Sequence, residues 1–405
     1  TGLYPSRARN TRNGNDTFPE EIPLISKMIA DSGYTCGLIG KFHLISAGER
    51  PEPRLDDGFE YWQHSHAPRD DWPKGTHAYA DWVREQGQDL DAMRNSGRGV
   101  RPEFHQTKWA SDCAIDFISR DHDKPWLLNI NVYDPHPPFI PPEEYSGRFK
   151  AEDMPGPHFR ESDLLQQIKL YSADFQGEAK TPEELNAKDA QAKYYSMIAQ
   201  IDDQLARILK ALDDTGQRGN TVIIFTSDHG EALGDHGLMF KGCRFYEGLV
   251  KVPLIFSYPK GFCSNRQCRG LVELLDLSAS LLELAGVDLP NYHQGQSLLP
   301  FLTGKDPGER IRTHVRSEYF EAMHPHFTSG SGTFATMYRN DRFKLVVYHN
   351  EGLGELYDLE VDPWEFNDLW SDPAHADLKN RLILESFNNH VNMTPNVGSE
   401  QVAPM

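Results

Sequence analysis

The run Thr221-Val-Ile-Ile-Phe225, β-branched or aromatic throughout, leads straight into Thr226-Ser-Asp-His-Gly-Glu-Ala-Leu-Gly-Asp-His-Gly237. Such a run reads as a buried strand that releases its polar groups at its carboxyl end. Open α/β sheets carry their chemistry there. Asp228 and His229 are adjacent, so a regular strand would point them to opposite faces. Only a loop turns both toward one ion, and Gly230 permits that loop.

The 405 residues suffice for one large α/β domain and a smaller one. With 60 acidic against 41 basic side chains the net charge is −19, which argues against nucleic acid or an anionic membrane as partner of the surface as a whole. A local pocket of Lys and His can still take an anion. No apolar run is long enough to span a bilayer, and the first residues carry no signal-peptide pattern, so the reading is a soluble protein with its compartment open. Cys36, Cys113, Cys243, Cys263 and Cys268 are odd in number and lack a C-x-x-C pair; free thiols are expected.

In chain order, residues 1–20 read as a loop. Leu24, Ile25, Met28 and Ile29 have helical spacing, and Tyr34–Ile39 is a short strand leading into Gly40-Lys41-Phe42-His43. Lys41 and His43 share a face of any extended segment. Residues 50–105 lack periodicity and read as a surface excursion; within it, His64-Ser-His66 is expected to be structural rather than a metal pair. Trp109, Cys113, Ala114, Phe117 and Ile118 mark a helix, and Pro125–Tyr133 a buried strand ending in Asp134-Pro-His136-Pro-Pro-Phe139, whose prolines stiffen the loop carrying His136. Residues 145–190 read as an insertion or lid. Tyr194–Leu212 is the clearest helix, with Asp202 and Asp203 on its wet side. Then come a strand over Val252–Ser257, a helix from Leu271 to Gly286, and from about Thr313 short alternating strands that predict a small antiparallel sheet.

Several of these stretches together resemble the formylglycine-dependent sulfatases of the alkaline phosphatase superfamily. Gly33–His43 is similar to their second signature, Pro135-His-Pro-Pro-Phe139 to their P-H-x-P-F loop, and Ser227–His236 to their metal-binding loop. Phe240-Lys-Gly242 with Tyr246–Ile255 resembles the segment that follows. Arg342–Leu345 and Glu355–Pro363 resemble the C-terminal subdomain. The resemblance runs from residue 1 to about residue 375.

It implies an alkaline-phosphatase-like α/β fold, a large mixed sheet with helices on both faces plus a small C-terminal antiparallel sheet. The implied division is a catalytic domain over 1–305, a small subdomain over 306–375, and a terminal helix and tail over 376–405. The implied activity is hydrolysis of a small-molecule or carbohydrate sulfate ester by a formylglycine beside one divalent metal. Carried over, Asp228 and His229 are metal ligands, Lys41 and His43 hold the formylglycine hydrate and the sulfate, and His136 and Lys241 bind sulfate oxygens or protonate the leaving group. Calcium is the metal the family implies. A nitrogen donor at His229, where other members have Asn, leaves manganese or another transition metal as the alternative.

The family's nucleophile motif is Cys/Ser-x-Pro-x-Arg, followed within a few residues by Thr-Gly, an aromatic and Pro, which is how Thr1-Gly-Leu-Tyr-Pro5 begins. Pro5-Ser-Arg7 imitates the motif, but Leu3 stands where the nucleophile would. The nucleophile is therefore expected upstream of Thr1, and the chain by itself is expected to be unstable and inactive. A phosphonate monoester hydrolase or phosphodiesterase of the same fold is the alternative reading. A non-catalytic binding or structural relative is the alternative of another class. His324 and His326 are weak candidates for shaping the pocket.

Overall fold

The computed structural model describes residues 1–8, 18–45, 51, 53–97, 99–173, 176, 178–306, 311–320 and 333–393; His324, His326 and the tail beyond Met393 lie outside them. The chain divides into two compact units. One comprises Ser26–Pro157 and Pro182–Thr221, the other Thr1–Ile25, His158–Thr181 and Val222–Met405.

In the first unit, β1 (Thr35–Gly40), β2 (Phe59–His64) and β3 (Trp126–Asn131) form a parallel sheet in the order β2-β1-β3. The central strand is fully buried at Cys36, Leu38 and Ile39. Its Ile39 packs with Tyr79, Val83, Leu90, Trp109 and Ala114 in one core, each such side chain contributing about 1.5–3 kcal/mol by leaving water. Strand β2 and the helices Ala78–Glu85 and Leu90–Arg94 correct the expectation of a surface excursion over 50–105. As an edge strand, β2 is buried only at its ends, Phe59 and His64, which erases the alternation that would have marked it. The long helix covers Ala187–Asp214, starting well before Tyr194 because small buried residues, Ala187, Ala190 and Ala192, extend its packed face. Asp202 and Asp203 lie on its exposed face, and Asp203 accepts from Tyr145 Oη at 2.8 Å.

In the second unit, β4 (Ile223–Thr226) and β5 (Leu254–Ser257) pair antiparallel. Strands β6 (His314–Phe320), β7 (Phe334–Asn340), β8 (Phe343–Tyr348) and β9 (Leu353–Asp358) form the antiparallel meander that the alternating pattern predicts. The helix Ala376–Asn392 docks on the meander through Leu382, against Tyr338, Leu345 and Leu356. Residues 158–173 are not a detached lid. Asp163, Gln167, Leu170 and Ala173 are buried, and Gln167 accepts from the guanidinium of the buried Arg244 at 3.0 Å. The N-terminal segment contains a short helix, Pro5–Ala8, where a loop is expected. Proline suits a first helical turn. Tyr4 anchors it, its N–H donating to Gln294 and its hydroxyl to Glu273.

The fold is thus α/β, with parallel and antiparallel strands, flanking helices and a C-terminal antiparallel sheet. All five cysteines are free. Among the described residues no helix is long and apolar enough to cross a membrane.

Candidate active site

Strand β4 ends at Thr226, so Asp228 and His229 lie on the loop beyond it. Ser227 Oγ donates to the carbonyl of His229 at 2.8 Å, closing a tight turn. His229 Nδ1 is 2.8 Å from the carbonyl of Gly230. A carbonyl only accepts, so Nδ1 carries the proton and Nε2 presents its lone pair. That Nε2 stands 3.5 Å from Asp228 Oδ2. The Gly230 N–H donates to Leu249 O at 2.8 Å. A Cβ on Gly230 would stand 1.9 Å from the carbonyl oxygen of Gly248, so only glycine fits there.

Asp228, His229 and Lys241 line one cavity of about 1690 Å³ within this unit. The Gln176 amide holds the backbone ahead of the lysine, donating to the carbonyls of Phe240 and Lys241 and accepting from Phe240 N–H. The buried Glu231 carboxyl accepts from the Lys241 backbone N–H. Burial pushes its pKa up to about 7 against the pull of Lys241. As a donor set, Asp228 and His229 supply one oxygen and one nitrogen at a spacing that suits two ligands of a single divalent ion. Among the described residues no group of three or more His, Cys, Asp or Glu could hold one. The pair thus fits part of a metal site.

The other unit gathers Lys41, His43 and His136. Gly40 ends β1 at φ 97°, and a Cβ there would stand 2.0 Å from Asn131 O. Lys41 N–H donates to Asn131 O and the Asn131 amide donates to Lys41 O, both at 2.8 Å. His43 is left-handed, φ 47°, which turns its ring edge-on to His66 at 4.8 Å between centroids. His66 leads on to Tyr133 at 6.1 Å and Tyr133 to His136 at 4.7 Å. Tyr133 Oη is 2.8 Å from His136 Nδ1. Burial, then the charges of His43 and Lys41, hold the His66 imidazole down to about pKa 2. His66 is the residue that sequence reasoning set aside. Its alternation with His64 was visible, but its neighbour His43 lies across β1 and β2 and left no local signal. His64 is buried with its Nδ1 3.2 Å from Thr76 O, a structural role.

These motifs place the chain among known proteins. The model of the sulfatase family matches residues 1–287, and that of the N-sulphoglucosamine sulphohydrolase C-terminal region matches residues 234–390. The chain belongs to the sulfatase family, in the alkaline phosphatase superfamily. A multifunctional alkaline phosphatase superfamily protein of Trinickia caryophylli, PehA, is 30% identical over 323 residues, 73% of this chain and 62% of that protein. The chain thus spans less than two thirds of that relative. An arylsulfatase of Clostridium perfringens is 27% identical over 368 residues, 85% of this chain and 73% of that protein. Among solved structures, a phosphonate monoester hydrolase of Agrobacterium radiobacter superposes with TM-score 0.80 at 26% identity, covering 97% of this chain and 84% of that one.

Proposed function

We propose that the protein is a hydrolase acting on an ester of a tetrahedral oxyanion, and that a phosphonate monoester or phosphodiester is its better substrate. The observation that carries the hydrolase reading is the loop beyond β4, which sets Asp228 beside the Nε2 lone pair of His229 and shares its cavity with Lys241. The likeness to the phosphonate monoester hydrolase favours the phosphorus ester over sulfate. Sulfate monoester hydrolysis is the second reading, favoured by the arylsulfatase likeness across most of the chain.

Asp228 and His229 would hold a divalent ion, which supplies Lewis-acid polarisation of an oxyanion oxygen. Lys241 places an ammonium against the charge on the oxyanion; by family resemblance alone, Lys41 and His43 would hold the formylglycine hydrate and the oxyanion. By the same resemblance His136 would bind an oxyanion oxygen or protonate the departing alkoxide, which needs an acid. The nucleophile proposed by family resemblance is formylglycine.

The test is a substrate comparison with the protein expressed from its gene. The kcat/KM for a nitrophenyl phenylphosphonate should exceed that for a nitrophenyl sulfate by at least about tenfold, or ~1.4 kcal/mol of transition-state discrimination. The reverse ratio returns the sulfatase reading. Turnover of neither ester, with metal added, supports a non-catalytic relative.

A further inference from the structure

Lys344, on β8, is fully buried. Its ammonium stands 2.8 Å from Glu247 Oε1 and 2.7 Å from Glu365 Oε1, and donates to Phe245 O at 2.7 Å. The ammonium thus hydrogen-bonds one carbonyl and stands between two carboxylates as an ion partner. Arg339 adds a second cation 3.2 Å from Glu247. Burial raises Glu365 despite Lys344; for Glu247, burial is outweighed by Lys344 and Arg339, and its pKa is lowered. Buried ion pairs are poor stabilisers, often replaceable by apolar side chains without loss. Stability alone is therefore a weak account of this cluster.

What the cluster grips is a short stretch of backbone. Lys344 takes the carbonyl of Phe245, and Glu365 accepts the N–H of Glu247 at 2.6 Å. Glu365 itself adopts a left-handed backbone, φ 59°, a conformation that persists when its surroundings impose it. The gripped stretch opens the helix Glu247–Val250. Against that helix lies Gly230, its N–H on Leu249 O and its Cα too close to Gly248 O for any side chain. Gly230 follows His229 directly and supplies the carbonyl that orients its ring. Any movement of the helix is thus transmitted through a contact with no slack to the Asp228–His229 loop.

We infer that Lys344, with Glu247 and Glu365, is a positioning group through which the C-terminal sheet sets the Asp228–His229–Gly230 loop. Its consequence for catalysis rests on the hydrolase reading above; the mechanical coupling does not. The test compares the wild type with Lys344→Met, Glu365→Gln and the double variant, which removes one charge of each sign. Lys344→Met should weaken manganese affinity and lower kcat by about 10- to 100-fold, the usual cost of losing an outer partner of a metal site, with KM changed much less. The double variant should regain thermal stability without regaining kcat or metal affinity. A purely structural cluster would return all three together, and that result overturns the inference.

Hydrogen exchange over residues 226–233 supplies a readout independent of activity. In Lys344→Met and in the double variant it should speed up by about tenfold, as local opening becomes easier. Unchanged exchange in a folded variant overturns the inference. If the wild type neither turns over an ester nor binds metal, the hydrolase reading fails, and faster exchange still upholds the coupling. If Lys344→Met does not fold, Glu365→Gln and the double variant carry the same comparison.

Discussion

The dipeptide Asp-His occurs twice in one loop, at Asp228-His229 and at Asp235-His236, and the two copies have opposite surroundings. Asp228 keeps 71% of its side-chain surface and His229 37%, both lining the cavity. His236 is buried. Its Nδ1 is 3.2 Å from the carboxylate of Asp163, and its ring stacks on Tyr246 at 3.8 Å. Asp235 accepts the N–H of His158 at 2.7 Å. The first pair leaves donor atoms turned toward solvent; the second spends them within the fold. Composition does not separate an open pair from a buried one. What surrounds each copy does, and here the difference is made by residues 158–163, far away in sequence.

Substitution should break this contrast in opposite ways. The largest effect is expected from Asp228→Ala. If Asp228 holds the metal as proposed, removing its carboxylate forfeits several kcal/mol of charge stabilisation, a loss of about 1,000-fold in kcat/KM. Urea unfolding of the metal-free protein should move by no more than about 0.5 kcal/mol, because the site is exposed. Equal activity in variant and wild type would remove Asp228 from the site. His236→Ala should do the reverse. It leaves a cavity against Tyr246 and Asp163 Oδ1 buried without the imidazole, while Oδ2 keeps the Arg160 N–H, a destabilisation of about 3 kcal/mol measured by urea titration. In whatever fraction remains folded, metal affinity should stay near that of the wild type.

The smallest effect sharpens the comparison through pH. Burial raises the Asp235 carboxyl above its ordinary value of 3.8. The native state therefore holds this proton after the unfolded chain has released it, and stability falls as pH climbs from about 3.8 through the raised native value. Asp235→Asn keeps an oxygen for the His158 N–H and removes the titration. The stability of the Asn variant relative to wild type should thus improve from about pH 3.5 to pH 7, followed in urea melts. A constant difference would show that Asp235 titrates alike in both states.

Much of the fold was legible because it is written in short periods. The strands over 35–40, 126–131 and 343–348 and the helix through Met197 and Leu212 announced themselves by local spacing. The loop after β4 was marked by polar residues at the end of an apolar run. Strand β2 was missed, since an edge strand need not alternate. The buried face of residues 161–169 was missed because its burial depends on His236, Arg244 and Tyr246, with which no local pattern connects it.

By itself, then, the sequence determined the class of fold, the order of its elements and the place where polar side chains leave a strand, because periodicity and turn chemistry act between neighbours in the chain. The tertiary structure alone decided which Asp-His pair stays open, that His66 stands against His43, and that Lys344 meets Glu247 and Glu365. The cost of a buried charge or ring nitrogen is set by partners that arrive from distant sequence, 99 residues apart for Lys344 and Phe245, and by strand pairing in the case of His66. Such partners come together only once the chain has folded.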